Sequence, residues 1–139
     1  MKLSTRVRYG ARALVDLAMH YGDGPQLIKE VARRQEVSQH YLEQIVIVLK
    51  AAGLVKSVRG ARGGVSLAKP PSQTTLSEVV RVLEGSSAPV ECVDDPSLCS
   101  RSPTCAMRDV WAEMKTAIDG VLESKTLQDM INRQGYSAD

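Results

Sequence analysis

Phenylalanine is absent from the 139 residues, and aromatic side chains make up only 4% of them. An interior built from such a chain packs aliphatically, on Leu, Val, Ile, Met and Ala. No apolar run approaches the roughly 18 residues that a membrane span requires, and no signal-peptide pattern opens the sequence. A secreted or integral membrane protein is therefore not expected, and a cytoplasmic one is. Cysteine is scarce and odd in number, three in all, which argues against a disulfide framework. No H-E-x-x-H, G-x-S-x-G or dinucleotide fingerprint occurs, so an enzyme is not expected either.

Acid is missing from one long stretch. No Asp or Glu occurs from Gln44 through Ser77, although Lys50, Lys56, Arg59, Arg62 and Lys69 all do. The formal net charge of +2 conceals this unevenness. Residues 1–70 hold 12 Lys and Arg against 5 Asp and Glu, a balance of +7, whereas residues 71–139 hold 6 against 11, a balance of −5. Such asymmetry suits a polyanion-binding half joined to an acidic one, with ordinary surface charge as the plainer alternative. Hydrophobic residues make up 43%, and the length suits one domain, or a small domain with an appended element.

Periodicity predicts a helix from about Val7 to Tyr21, with Ala11, Leu14, Val15, Ala18 and Met19 on one stripe. Gly22-Asp23-Gly24-Pro25 breaks it. A short second helix follows with Leu27, Ile28, Val31 and Ala32 inward. Glu36-Val37-Ser38 reads as a tight turn whose Ser38 N-caps a third helix ending near Ala52, before Gly53. Leu42, Ile45, Val46 and Leu49 form the core face of that third helix. Its other face carries Gln39, His40, Glu43, Gln44 and Ile47, hydrogen-bonding groups rather than the usual Glu/Lys mixture. A short helix, a tight turn and a longer helix with a donor/acceptor face is the layout of a helix-turn-helix DNA reader, although a plain helical hairpin shares its outline.

The next segment favours the DNA reader. Residues 54–59 and 65–68 carry strand patterns, joined by Gly60-Ala61-Arg62-Gly63-Gly64. A hairpin with a glycine-rich, arginine-bearing tip beside a helix-turn-helix makes a winged helix, its loop thin enough for arginines to enter a narrow groove. The glycines do not form a phosphate-binding P-loop, because the terminal G-K-[ST] is absent. Thr75-Leu76-Ser77-Glu78 fits a capping box opening a short helix with Val79, Val80 and Leu83 inward. Further on, Met107, Val110, Trp111, Met114, Ile118, Val121 and Leu122 trace one apolar stripe over about four turns. That stripe reads as a dimerisation helix, or alternatively as a helix folded back onto the core.

All three cysteines, Cys92, Cys99 and Cys105, fall within 14 residues between those last two helices. Their neighbours are Asp, Ser, Pro and Arg, which is not core sequence. The two histidines, His20 and His40, are distant in sequence, so a thiol poised beside a base is not indicated. Thiolate ligation of a metal remains. Structural zinc sites favour C-x2–4-C pairs, so spacings of six and five suit an iron–sulfur cluster better than zinc, with a non-cysteine fourth ligand.

Met1-Lys2-Leu3-Ser4-Thr5 leading to Tyr9, Val37-Ser38 with Tyr41-Leu42-Glu43-Gln44, Gly53-Leu54-Val55, Ser57-Val58-Arg59-Gly60 with Gly63-Gly64, and the cysteine loop together resemble the Rrf-two (Rrf2) family of winged-helix transcription factors, in its IscR-like iron–sulfur branch. The resemblance covers essentially the whole chain. It implies a homodimeric bacterial regulator of double-stranded promoter DNA with no membrane partner. It also implies a cluster, most simply 2Fe–2S, whose occupancy sets DNA affinity, as at promoters of cluster-biogenesis genes. Carried over by position, it implies recognition-helix contacts from His40, Glu43 and Gln44, a wing contact from Arg59, and phosphate-side positions for Tyr9 and Tyr41. With Ser38, Gly60 and Arg62, these complete the expected DNA-binding set. Gln44 can reach adenine or guanine edges, while Glu43 repels phosphate and acts as a filter, accepting from cytosine N4.

The chain departs from the family pattern at one ligand. The IscR branch places a histidine three residues after the third cysteine, where this chain has Arg108. Other branches use a carboxylate near the start of the partner's first helix, where this chain has Arg8. Glu91, Asp94, Asp95, Asp109, His40, Glu43 or solvent remain as possible fourth ligands, and Arg101 and Arg108 as partial charge compensation. The expected architecture is mainly α with a small β-hairpin wing. It comprises a winged helix-turn-helix domain over 1–84, a cysteine loop over 85–106, and a dimerisation helix with C-terminal tail over 107–139. A zinc-binding or cluster-free winged-helix adaptor or regulator is the alternative.

Overall fold

The computed structural model describes residues 2–138. Helices α1 (Thr5–Met19), α2 (Ile28–Gln35) and α3 (Gln39–Ala51) lead into an antiparallel hairpin of β1 (Val55–Val58) and β2 (Gly64–Leu67). Helix α4 (Leu76–Leu83), the single turn α5 (Glu91–Asp94), the long α6 (Ala106–Glu123) and α7 (Leu127–Ala138) follow. The result is a winged helix-turn-helix with a helical extension.

Side-chain caps start the helices. Ser4 Oγ accepts from the Val7 amide at 3.2 Å, so α1 opens two residues before the expected start. Ser38 Oγ accepts from the Tyr41 amide at 3.1 Å and opens α3 as expected. The Thr75 capping box forms only in half. Thr75 Oγ1 takes the Glu78 amide, but the Glu78 carboxylate turns to Lys69 Nζ at 3.0 Å. Charge pairing has displaced the reciprocal bond.

Leu14, Val31, Leu42, Ile45, Leu49, Val79, Leu83 and Leu127 are the largest fully buried side chains. Each contributes roughly 1.5–3 kcal/mol by leaving water. Helix α1 is buried over a wider arc than its predicted stripe, because α2, α3, α4 and α7 all pack around it. Gly10 permits that crowding: a Cβ there would lie 2.5 Å from Leu83 Cδ1 and 3.3 Å from Ile45 Cγ2. Two expected core residues are exposed instead. Met19 ends α1 beyond its packed turns, and Leu27 occupies the N-cap of α2, where the side chain leaves the buried stripe.

No residue of α6 is buried, and Met107, Val110 and Val121 are exposed. Leu122 of the apolar stripe packs, partly buried, against the core, while these three stay on the surface. The segment after it, expected as a tail, returns to the winged helix as α7. The Leu127 amide donates to Thr74 O at 3.0 Å, the Leu76 amide donates to Lys125 O at 2.9 Å, and Leu127 is fully buried. Thr126 and Asp129 cap α7 reciprocally: Asp129 Oδ2 accepts from the Thr126 amide and Thr126 Oγ1 from the Asp129 amide.

Candidate nucleic-acid interface and cysteine loop

A buried ion pair sets the angle between the first two helices. Asp16 is only 4% exposed, and Arg34 reaches it bidentately, Nη2 to Oδ1 at 2.7 Å and Nε to Oδ2 at 2.9 Å. Gln35 Nε2 adds a third bond at 3.0 Å. Burial works against ionisation of this carboxyl, but the hydrogen bonds from Arg34 and Gln35 and the guanidinium charge prevail and hold it below the usual carboxylate range. Arg34 also reaches Gln26, whose backbone exchanges two 2.8 Å hydrogen bonds with Val65 of the wing. Helices α1 and α2 and the wing thereby form one scaffold.

The turn into α3 uses Glu36 in the left-handed conformation, φ 55°, a place usually taken by glycine. Beyond it α3 projects His40 and Gln44 to solvent with Glu43 half-buried beside them. Ile47, a turn further on, is 61% exposed. At the N-terminal ends of α1 and α3, Tyr9 and Tyr41 meet edge-to-face with ring centroids 6.1 Å apart. Arg12 lies 5.3 Å from the Tyr9 ring centroid and Arg8 6.0 Å. The Arg12 guanidinium is further fixed by Gln35, with Nε to Oε1 at 3.1 Å and Nη2 to the backbone oxygen at 2.8 Å. Arg12 joins this cluster although the expected set did not include it. The local signal is its place three residues after Tyr9 and four after Arg8, the spacings that bring helix side chains side by side.

The wing pairs Val55 with Leu67 and Val58 with Gly64. Two of its glycines are demanded by space. A Cβ on Gly63 would fall 2.1 Å from Val58 O, and one on Gly64 2.3 Å from Gln26 O. Gly60 takes φ 105° at the tip, beside Arg59 and Arg62, both exposed and without an ion pair among the described residues. The expected DNA-binding residues thus lie on α1, on the first turns of α3 and on the wing. Within the set, Tyr9 meets Tyr41 and Ser38 caps the Tyr41 amide.

The cysteine loop runs through α5 and two 3-10 turns, Pro96–Leu98 and Ser102–Thr104. Its cysteines are unbridged; Cys92 and Cys105 are half-buried and Cys99 is exposed. No three His, Cys, Asp or Glu side chains converge on a metal-sized site among the described residues. Arg108 has turned away from any ligand-like role. Its Nε donates to Cys92 O at 2.9 Å and its Nη2 to Val93 O at 3.4 Å, tying α5 to the first turn of α6. Of the candidate fourth ligands, Asp95 already accepts from the Ser97 amide and hydroxyl. Ser102 Oγ, between Cys99 and Cys105, is buried without a hydrogen-bond partner. The loop thus supplies three free thiols, the donor type an iron–sulfur cluster takes, without bringing them to one point.

A helix-turn-helix with a polar outer face, a glycine-tipped basic wing and a cluster of Arg and Tyr beside it is the architecture of a DNA-binding transcriptional regulator. The chain belongs to the Rrf2 family, whose model, described as an iron-dependent transcriptional regulator, matches residues 3–133. The HTH-type transcriptional regulator CymR of Bacillus subtilis (strain 168) is 43% identical over 130 residues, 94% of this chain and 89% of CymR. The solved structure of B. subtilis CymR, described as the global cysteine regulator, matches with TM-score 0.81 and 41% identity over 96% of this chain and 98% of that one. IscR of T. potens matches with TM-score 0.81 and 42% identity over 96% of this chain and 88% of that one. Among the described residues no helix is long and apolar enough to cross a membrane.

Proposed function

We propose that this regulator is a cytoplasmic homodimer whose cysteine loop holds an iron–sulfur cluster, 2Fe–2S in form, that sets promoter affinity, as at genes of cluster biogenesis. The observation that carries the cluster reading is the loop itself: three free thiols within one short segment outside the core. Cys92, Cys99 and Cys105 would hold the group; the fourth ligand comes from outside the Arg108 position. A thiolate-bound cluster supplies a redox- and supply-sensitive cross-link of the loop. The chain's own residues transmit its presence. Arg108 ties α5 to α6, and Asp119 on α6 accepts from both Ser87 of the preceding linker and Lys115, at 2.9 Å from the latter. Reordering the loop therefore shifts α6 against the reading head and changes the spacing of the two readers in the dimer.

In that dimer, pairing through α6 covers Met107, Val110 and Val121. The two α3 helices then enter successive major grooves about 34 Å apart. His40, Glu43 and Gln44 read base edges, the wings reach flanking minor grooves through Arg59 and Arg62, and Arg8, Tyr9, Arg12 and Tyr41 lie along phosphates. Binding is steeply salt-dependent. Arg59→Ala weakens a specific site by about 1–3 kcal/mol; unchanged affinity by titration would remove the wing contact.

A second reading, regulation without a cluster, draws support from Arg108 in the fourth-ligand position, already committed to backbone carbonyls. One experiment separates the two: selection of preferred DNA sites by anaerobically reconstituted and metal-free protein in parallel, with iron and sulfide assayed. Equal binding by both forms, or a protein that takes up neither iron nor sulfide, defeats the cluster reading and leaves the regulator.

A further inference from the structure

The reading face of α3 contains one negative charge in an otherwise neutral and basic surface, and that charge is held. Glu43 Oε1 accepts from Gln39 Nε2 at 3.1 Å, across one helical turn. Gln39, His40 and Gln44 are exposed, whereas Glu43 is half-buried. Among the described residues no Lys, Arg or His pairs with it; the five ion pairs lie elsewhere. The carboxylate is therefore oriented by a neutral amide, which fixes its direction without cancelling its charge. One oxygen is engaged and the other is left for whatever meets the helix.

We propose that Gln39 is a positioning residue for base selection, holding the Glu43 carboxylate as a rigid filter against base edges that offer only acceptors; the proposal rests on the reading that α3 enters the major groove. A carboxylate accepts from the exocyclic amino group of cytosine or adenine and is repelled by the O6 and N7 of guanine or the O4 of thymine. Discrimination depends on whether the carboxylate can escape. Glutamate is among the side chains with most rotamer freedom. An untethered Glu43 swings toward solvent when it meets the wrong base and evades most of the repulsion. A tethered one must break its bond to Gln39 to do so, and the wrong base bears that cost. Specificity then comes from the repulsive contact made unavoidable, more than from an added attractive one. A lysine at position 39 would also donate, but it would neutralise the charge that rejects.

The test is site selection and competitive titration with wild type, Gln39→Ala, Gln39→Lys, Glu43→Ala and the Gln39→Ala/Glu43→Ala double variant. The base pair facing Glu43 is the one whose preference changes in Glu43→Ala. There Gln39→Ala reduces the preference for amino-bearing edges about threefold or more, the scale of one net hydrogen bond, with affinity for the best site nearly unchanged. In the Glu43→Ala background the same substitution does nothing further. Gln39→Lys removes the preference as fully as Glu43→Ala does while raising affinity for all sites. Both positions lie on the solvent side of α3, and unchanged melting curves confirm that the fold is kept. A preference unaltered by Gln39→Ala overturns the proposal, as does an effect that persists undiminished without Glu43, which would make Gln39 a base reader itself. If Glu43→Ala changes no base preference, the filter reading beneath it fails as well.

Discussion

The winged helix and the α6 segment use similar aliphatic residues to opposite ends. In the winged helix, the apolar faces of α1, α3 and α4 meet one another, and Leu14, Leu42, Ile45 and Leu83 disappear from solvent. In α6, Met107, Val110 and Val121 stay exposed, and no residue of the 18-residue helix is buried. The same periodic pattern thus specifies an interior in one place and a surface in the other. What separates them is the number of neighbours the chain itself provides. Four helices surround α1, whereas α6 meets α4 and α5 on one side. The winged helix is complete within one chain; in the proposed dimer, the partner's α6 completes the extension.

The sharpest contrast is at Asp16. Removing one partner of a buried ion pair strands the other, so Asp16→Ala costs about 3–5 kcal/mol in denaturant unfolding. The pH dependence follows from the depressed carboxyl pKa. The contribution of Asp16 is present in full above the ordinary carboxylate range and is lost as pH falls through the lowered folded-state value. Asp16→Asn flattens that acid limb of the stability curve; an unchanged limb would place the acid sensitivity elsewhere. On the α6 side, Val110→Asp with Val121→Asp costs the dimer about 2 kcal/mol or more by light scattering. The same double variant leaves the unfolding of the winged helix where it was. A loss of reading-head stability would erase the distinction between the two regions.

Smaller effects probe the loop and the turn. Ser102→Ala removes a buried hydroxyl with no partner, so the protein gains about 1 kcal/mol in denaturant unfolding. A loss of stability would show that the hydroxyl has a partner. Glu36→Gly relieves the left-handed strain of a side chain at φ 55°. Set against the greater freedom of glycine in the unfolded chain, it raises stability by about 0.5 kcal/mol. A lower midpoint would mean that the Glu36 side chain contributes more than its backbone costs.

Much of this architecture was legible in advance. The Ser38 cap, the core face of α3 and the glycine-rich wing all follow from local spacing, and each stands in the structure where spacing put it. Helix α7 was missed, although Thr126 and Asp129 carry its capping signal at N-cap and N3. Leu127 was missed with it, because one leucine in a polar stretch has no visible partner until the chain returns to Thr74. The Asp16–Arg34 pair escaped for a similar reason. Its meaning lies in a contact made 18 residues away, which residue type alone does not reveal. For the cysteines, spacing suggests metal ligation, whereas no three candidate ligands converge among the described residues and Arg108 binds the backbone beside Cys92.

Helical and strand periods, capping residues and charge runs act over a few residues, and they suffice to specify a basic winged helix, its reading face and a cysteine loop from the chain alone. Packing determines which apolar face is buried, which carboxylate is paired and which is left charged, because each of these depends on elements far apart in sequence meeting in space. Asp16 and Glu43 are both acids on helices of the reading head. Burial against Arg34 makes the first a structural fastening, whereas the second, half-buried beside the neutral Gln39, has no cation to pair with among the described residues.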